Sequence, residues 1–327
     1  MLPPNGRLMF DLQALADAEI RAALEHGGSL SRRPWDEVSG VRTIVLDGID
    51  QIAAAWKPKL RAANIEIELT AVFCHSRPQV SFSPKIYVQG TGRCELADLL
   101  IVIDHRRIDG SVSDRRAVLI QAKRNKGGGI NLSGSDWTQH ELLSTLPVFH
   151  FIEQSYDTAR PRDLNRAPAC GRRSRTAEYG GIELQGTPRT WTSLVPRTII
   201  HPALVKSLDK PIPLAALLVQ MAFGTPACGR KAVPGANDDW SFTVDELLRV
   251  TGEIEINAND GTGIIRRNAR VSGVIVDTAA YLSTPRGVGA GGGPVKPDEE
   301  TYWPDGPMST IHLTLREEER YVEMTRY

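Results

Sequence analysis

At 327 residues, with 41% hydrophobic and 24% charged, the chain has the make-up of a folded globular protein and the length for one large domain or two ordinary ones, which excludes intrinsic disorder. Thirty-nine basic residues balance thirty-nine acidic ones, so no global field draws in a polyanion and any nucleic-acid surface must be a local patch. Cys74, Cys94, Cys170 and Cys228 are scattered without a C-x-x-C pair, which argues against structural zinc and for reduced, buried thiols. The N-terminus lacks the basic-then-apolar order of a secretory signal, and the longest apolar run, 214–223, is too short for a bilayer and contains Gln220. A cytoplasmic protein with no membrane partner is expected.

Residues 10–25 place Leu12, Leu15, Ile20 and Leu24 near helical spacing, a packing helix stopped by His26-Gly27-Gly28. Residues 43–56 predict a second helix, ended by Pro58. Residues 65–74 alternate and are β-branched, a strand broken by His75-Ser76-Arg77-Pro78, and 85–89 predict another short strand. Two apolar strands follow, 96–103 and 117–123, joined by a polar turn. Asp98 interrupts the first, while Gln121 and Lys123, two apart, share a face of the second. If these strands pair, a carboxylate, an amide and an ammonium gather at one sheet end, a donor set for a divalent cation and a phosphate.

After Lys123 comes a basic, glycine-rich loop, 124–129, and then Asp136-Trp137-Thr138-Gln139, which reads as a capping box opening a helix to Leu146. A strand at 148–152 completes the order helix, three strands, helix, strand over 43–152, a compact α/β unit. Residues 157–190 are polar and rich in Arg, Gly and Pro. There Arg160, Arg162, Arg166, Arg172, Arg173 and Arg175 form a solvated loop or a contact to nucleic-acid backbone. The C-terminal part predicts an apolar helix at 213–223, a capping box Thr243-Val244-Asp245-Glu246 leading to a stop at Gly252, and strands at 253–257, 269–277 and 310–315. The glycine-rich stretch 287–297 lacks phosphate-loop spacing and reads as a tether. The domain expectation is 1–156 for the first α/β unit, 157–195 for a linker, and 196–327 for an appended α+β region.

Asp98 in an apolar strand, a turn, and a second strand closing on Gln121-Ala122-Lys123 together resemble the PD-(D/E)xK phosphodiesterase superfamily, the restriction-endonuclease-like nucleases, over 43–152. That triplet is the only Asp/Glu/Gln-x-Lys in the sequence. The resemblance implies an αβββαβ core with a mixed central sheet, and Mg²⁺-dependent (alternatively Mn²⁺-dependent) hydrolysis of nucleic acid, DNA first. Restriction or anti-phage defence is the implied setting, and a homodimer is compatible with it. Asp98 would be the anionic metal ligand, Gln121 would offer its carbonyl oxygen where a carboxylate is usual, and the Ala122 backbone carbonyl would be a further ligand. Lys123 would orient or deprotonate the water.

The glutamine leaves such a site one negative charge short. Glu95 is the nearest compensating acid, but it faces away on a regular strand and joins only where the strand bends; Glu66, Glu68 and His75 are more remote. Read on their own, Asp98 and Lys123 are also an ordinary ion pair. Two alternatives stand beside the nuclease: an inactive protein of the same fold that binds nucleic acid or a protein partner, and a non-nucleolytic α/β interaction protein.

Overall fold

A computed structural model of the chain describes residues 6–74, 78–84, 86, 90–125, 130, 132–166, 176–195, 209–224, 228–252, 256–257, 264–267, 274–277 and 308–318. His75, Cys170, Arg172, Arg173, Arg175, the loop 126–129, the stretch 287–297 and all but Ile86 of the strand expected at 85–89 lie outside the described residues.

The helices are α1 (Gly6–His26), α2 (Glu37–Thr43), α3 (Ile49–Arg61), α4 (Asp136–Thr145), α5 (Leu214–Phe223) and α6 (Asp239–Gly252), with a π-helical turn, Ile44–Gly48, joining α2 to α3. The strands are β1 (Ile65–Phe73), β2 (Gln79–Phe82), β3 (Gly92–Glu95), β4 (Leu99–Arg106), β5 (Val112–Arg124), β6 (Phe149–Phe151), β7 (Ala177–Glu183), β8 (Thr190–Val195), β9 (Asp209–Pro213), β10 (Arg230–Lys231), β11 (Ile256–Asn257), β12 (Ile264–Arg267), β13 (Val274–Asp277) and β14 (Ser309–Glu317). One large mixed sheet runs β11-β12-β13-β1-β14-β4-β5-β7-β8-β9, with β10 paired to the first half of β5; β3-β2-β6 form a separate small sheet. The protein is thus mixed α/β with a mixed central sheet. Among the described residues no helix is long and apolar enough to cross a membrane.

The central sheet is buried on both faces, which is why β4 and β5 read as unbroken apolar runs rather than alternating ones. Leu99, Ile101, Ile103, Val118 and Ile120 point into a core closed by α1, α3 and α5, where Trp56 is fully buried and its indole N–H donates to Leu12 O at 2.8 Å. Leu100, Val102, Ala117 and Leu119 point into a second core closed by α4, α6 and the small sheet. Each buried Leu or Ile contributes about 1.5–3 kcal/mol relative to exposure. At the lower end of this second face, Arg115 grips Asp104 through Nε at 2.6 Å and Nη2 at 2.8 Å, reaches Asp245 of α6 at 2.7 Å, and His312 of β14 lies 3.2 Å from the same buried carboxylate.

Several expectations are corrected. Pro58 lies inside α3 rather than ending it; the helix runs on to Arg61, and the cap is the Ala62 N–H donating to Pro58 O at 3.2 Å. The expected strand at 148–152 is β6, but it pairs with β2 in the small sheet, so it does not complete the central one. The strand that follows α4 in the central sheet is β7, parallel to β5. It lies in the expected linker 157–195, as does β8, because 177–183 and 190–195 carry enough apolar and aromatic side chains, Tyr179, Ile182 and Trp191 among them, to be buried. β14, from the expected appended region, sits between β1 and β4, parallel to β4. Neither expected capping box forms: Ser135, at the cap position of α4, makes no side-chain cap bond, and Thr243 lies inside α6, bonded to Asp239 O at 2.5 Å. Arg160 and Arg162 are held in ion pairs: half-buried Arg160 pairs with Asp239 at 3.0 Å, and Arg162 is buried against Glu246 at 2.6 Å and over the Phe242 ring.

Candidate active site

The hairpin β4–β5 is antiparallel, with Leu99 opposite Ile120. Asp98 is not inside β4 but is the residue just before it, where the chain leaves β3 of the small sheet, turns through buried Leu96 and Ala97, and enters the central sheet with Asp98 N donating to Ile120 O at 3.0 Å. Alternation along β5 turns the N–H and C=O of Ala122 toward β4, one step beyond the start of that strand. The partly buried Asp98 carboxylate fills the gap and accepts the Ala122 N–H at 2.7 Å. It also accepts the side-chain amide N–H of buried Gln121. Gln121, Lys123 and Asp98 thus share the second face of the sheet, at its upper end.

The same bend that starts β4 carries Glu95, the last residue of β3, alongside: its side chain hydrogen-bonds Asp98. Helix α4 closes the other side. Asp136 Oδ1 accepts from Lys123 Nζ at 2.7 Å and Asp136 Oδ2 from Ser133 N at 3.0 Å. Gln139, one turn on, donates to the Gln121 carbonyl oxygen and to Glu95 O at 3.2 Å. Behind them His140 shares a hydrogen bond with Tyr179 at 3.0 Å, so it is a core histidine. The polar side chains that would make a capping box, Asp136 and Gln139, are instead the ones that hold Lys123 and Gln121.

Burial is the main cause that pushes the Asp98 carboxyl up to about 7; the Lys123 ammonium and the Ala122 N–H oppose the rise, and the charge of Glu37, in the first turn of α2, adds to it. Cys94 is no candidate nucleophile: burial, and then Glu95, push its thiol up to about 12.

Of the sequence-derived set, Asp98, Gln121, Ala122, Lys123 and Glu95 are brought together. Glu66 and Glu68 are not: β14 separates β1 from β4, and both acids face Arg316, at 3.9 and 3.3 Å. Glu37, Asp136 and Gln139 were missing from that set. The Gln121 carbonyl, expected to face a cation, faces Gln139, and its N–H faces Asp98, since an amide presents its donor to a carboxylate. Among the described residues no three His, Cys, Asp or Glu side chains converge closely enough to hold a metal. The oxygens available are two carboxylates, one backbone carbonyl and an amide that must first turn. That set suits a hard cation that takes one or two carboxylates and keeps waters and substrate oxygens as its other ligands, which is how Mg²⁺ binds.

A cavity of about 660 Å³ opens at the far end of α4 between Phe82, Ile86 and Val148, but it takes in neither Asp98 nor Lys123. Lys123 and Asp136 lie at the rim of the candidate site, their side chains 14% and 22% exposed. Compared with protein-family models, curated proteins and solved structures, the chain matches none.

Proposed function

We propose that this protein is a Mg²⁺-dependent phosphodiesterase acting on nucleic acid, DNA in the first instance. The observation that carries the reading is the meeting of Asp98 and Glu95 with the end of β5, where the Asp98 carboxylate accepts the Ala122 N–H beside Lys123, whose ammonium bears on it. The order of elements supports the reading in part: β4, β5, α4 and β7 follow the strand, strand, helix, strand order that the resemblance implies, although β14 separates β1 from β4.

Asp98, Glu95 and the Ala122 carbonyl are the groups that would hold Mg²⁺, with Mn²⁺ as the substitute. The metal, when bound, supplies an acidified water and neutralises phosphate charge. Lys123 donates to a phosphate oxygen or to the attacking water once its bond to Asp136 is exchanged for one to substrate. Gln139 fixes the rotamer of Gln121, and Asp136 keeps the ammonium at the rim until then.

A second reading has its own observation. Lys123 is occupied by Asp136, and Gln121 presents N–H rather than oxygen to Asp98, which is what a silent, nucleic-acid-binding relative would show. Lys123→Ala separates the two. In the first reading the wild type cuts linear or circular DNA in Mg²⁺, and the variant loses cleavage by about 10²-fold or more while still binding. A wild type that binds but leaves linear, circular and single-stranded substrates intact in Mg²⁺ and Mn²⁺ refutes the first reading and favours the second.

A further inference from the structure

The loop between α1 and α2 is pinned along its length. Asp47, buried in the π-helical turn, accepts from Leu30 N at 3.0 Å, Ser31 Oγ at 2.5 Å and Ser29 Oγ at 3.3 Å. Thr43 Oγ1 donates to Arg32 O at 3.3 Å, and Arg189 donates to Leu24 O at 2.9 Å and Pro34 O at 2.8 Å. Ser39 Oγ accepts from both Trp35 N and Asp36 N at 3.0 Å. A loop held by its backbone in this way does not need its outward side chains for its own structure. Those side chains are Arg32, Arg33 and Trp35: both arginines are exposed and pair with no carboxylate among the described residues, and the indole is 63% exposed.

The loop leads into α2, which packs on the first face of the central sheet, opposite the face that carries Lys123, at the same end of the sheet. Helix α2 is pressed against the sheet so closely that a Cβ on Gly40 would come within 2.9 Å of Ile182 Cδ1, and Ile182 is the register partner of Arg124, the neighbour of Lys123. Glu37 is near enough to Asp98 for its charge to bear on that carboxyl. Trp35 stands two residues before Glu37, at most about 7 Å of chain.

We infer that Arg32, Arg33 and Trp35 form a clamp for the substrate strand: the arginines take backbone phosphates, and the indole stacks on a base of the strand that passes over this end of the sheet. Resting on the function proposed above, this assigns the substrate class as nucleic acid with an unpaired base at that point, single-stranded or locally opened. A base inside a duplex has both faces covered and offers Trp35 nothing to stack on. An aromatic platform beside cationic side chains is the usual means of holding a single strand without reading its sequence.

The test is anisotropy of labelled oligo-dT and of an abasic oligomer of the same length, in EDTA, over a salt series. Trp35→Ala is expected to weaken oligo-dT binding about 5- to 150-fold, to leave the abasic oligomer unaffected, and to be largely rescued by Trp35→Tyr. Arg32→Ala with Arg33→Ala should flatten the salt slope for both oligomers by about 1.4, at about 0.7 per phosphate on a single strand. If Trp35→Ala changes nothing, or weakens both oligomers equally, the clamp is overturned while cleavage by the wild type leaves the phosphodiesterase reading standing. A wild type that neither binds nor cuts any of these overturns both.

Discussion

Asp98→Asn should stabilise the fold at alkaline pH, the reverse of what removal of an ordinary ion-pair partner does. The Asp98 carboxyl is raised from 3.8 to about 7, chiefly by burial. Between those two values the folded protein keeps a proton that the unfolded chain has lost, so stability falls as pH rises through the window. At 1.36 kcal/mol per unit, the shift corresponds to about 4 kcal/mol of destabilisation once the carboxylate is fully ionised, and about 2–4 kcal/mol after allowing for its partial contact with solvent. Asparagine keeps the carbonyl that accepts the Ala122 N–H and carries no charge to desolvate. Urea unfolding of both proteins at about pH 4.5 and pH 8.5 isolates the effect, since groups that titrate identically in the two cancel. The variant should come within about 1 kcal/mol of the wild type at the lower pH and exceed it by about 2–4 kcal/mol at the higher. Mg²⁺ should restore about 2.7 kcal/mol to the wild type at a hundred times its Kd, and nothing to the variant. An asparagine variant less stable than the wild type at alkaline pH would refute the reasoning and leave Asp98 as a plain partner of Lys123.

At the other end of the same face the sign is opposite. Asp104 is held well below the usual carboxylate range because the hydrogen bonds of Arg115 and His312 outweigh its burial, so Arg115→Met should cost about 3–5 kcal/mol near neutrality by chemical denaturation, with the cost shrinking as pH falls below the ordinary carboxylate range. Gln121→Glu should add a third carboxylate beside Asp98 and Glu95, lowering stability without metal and tightening Mn²⁺ binding by calorimetry about tenfold or more; unchanged affinity would place the cation away from β5. Gly28→Ala would put a Cβ 2.1 Å from Asp47 Cγ, displacing the carboxylate that holds Ser29, Leu30 and Ser31, and should cost about 2–4 kcal/mol in urea unfolding and weaken single-strand binding with it.

The hairpin was legible because its signal is local. Two apolar runs around a polar turn pair in only a few registers, and polar residues two apart in such a run must share a face, so Gln121 and Lys123 could be placed together from spacing alone. Asp98 was located to within a residue, though before the strand rather than in it, because a bend and a strand start look alike in an apolar run. Strand order was not legible. Nothing in 309–317 says that it enters between β1 and β4 rather than at an edge, since that choice is made by long-range burial. The polar and glycine-rich flanks of 177–195 masked two strands whose apolar residues are few but large. Asp136 and Gln139 were read as a capping box because a cap and a pair of site residues share one spacing; only the position of α4 over β5 tells them apart.

The charges around Lys123 do not balance, and the imbalance gives the candidate site its direction. Asp136 pairs with Lys123, Glu95 hydrogen-bonds Asp98, and the charge of Glu37 reaches Asp98 from the other face of the sheet, in a chain whose formal charges cancel overall. A second cation among these half-buried acids would lower the cost of desolvating their charges. Instead the bend at Leu96, the first turn of α2 and the first turn of α4 all deliver acids to the same sheet end. A divalent cation removes the excess, and a phosphate arriving with it takes the place of Asp136 on Lys123, so in the proposed function cation and substrate bind more tightly together than apart. Such mutual dependence is reciprocal by thermodynamic necessity: Mg²⁺ must tighten oligonucleotide binding by the same factor as the oligonucleotide tightens Mg²⁺. Neutralising Asp136 as asparagine would lower that factor, because the ammonium would then be free before the phosphate arrives.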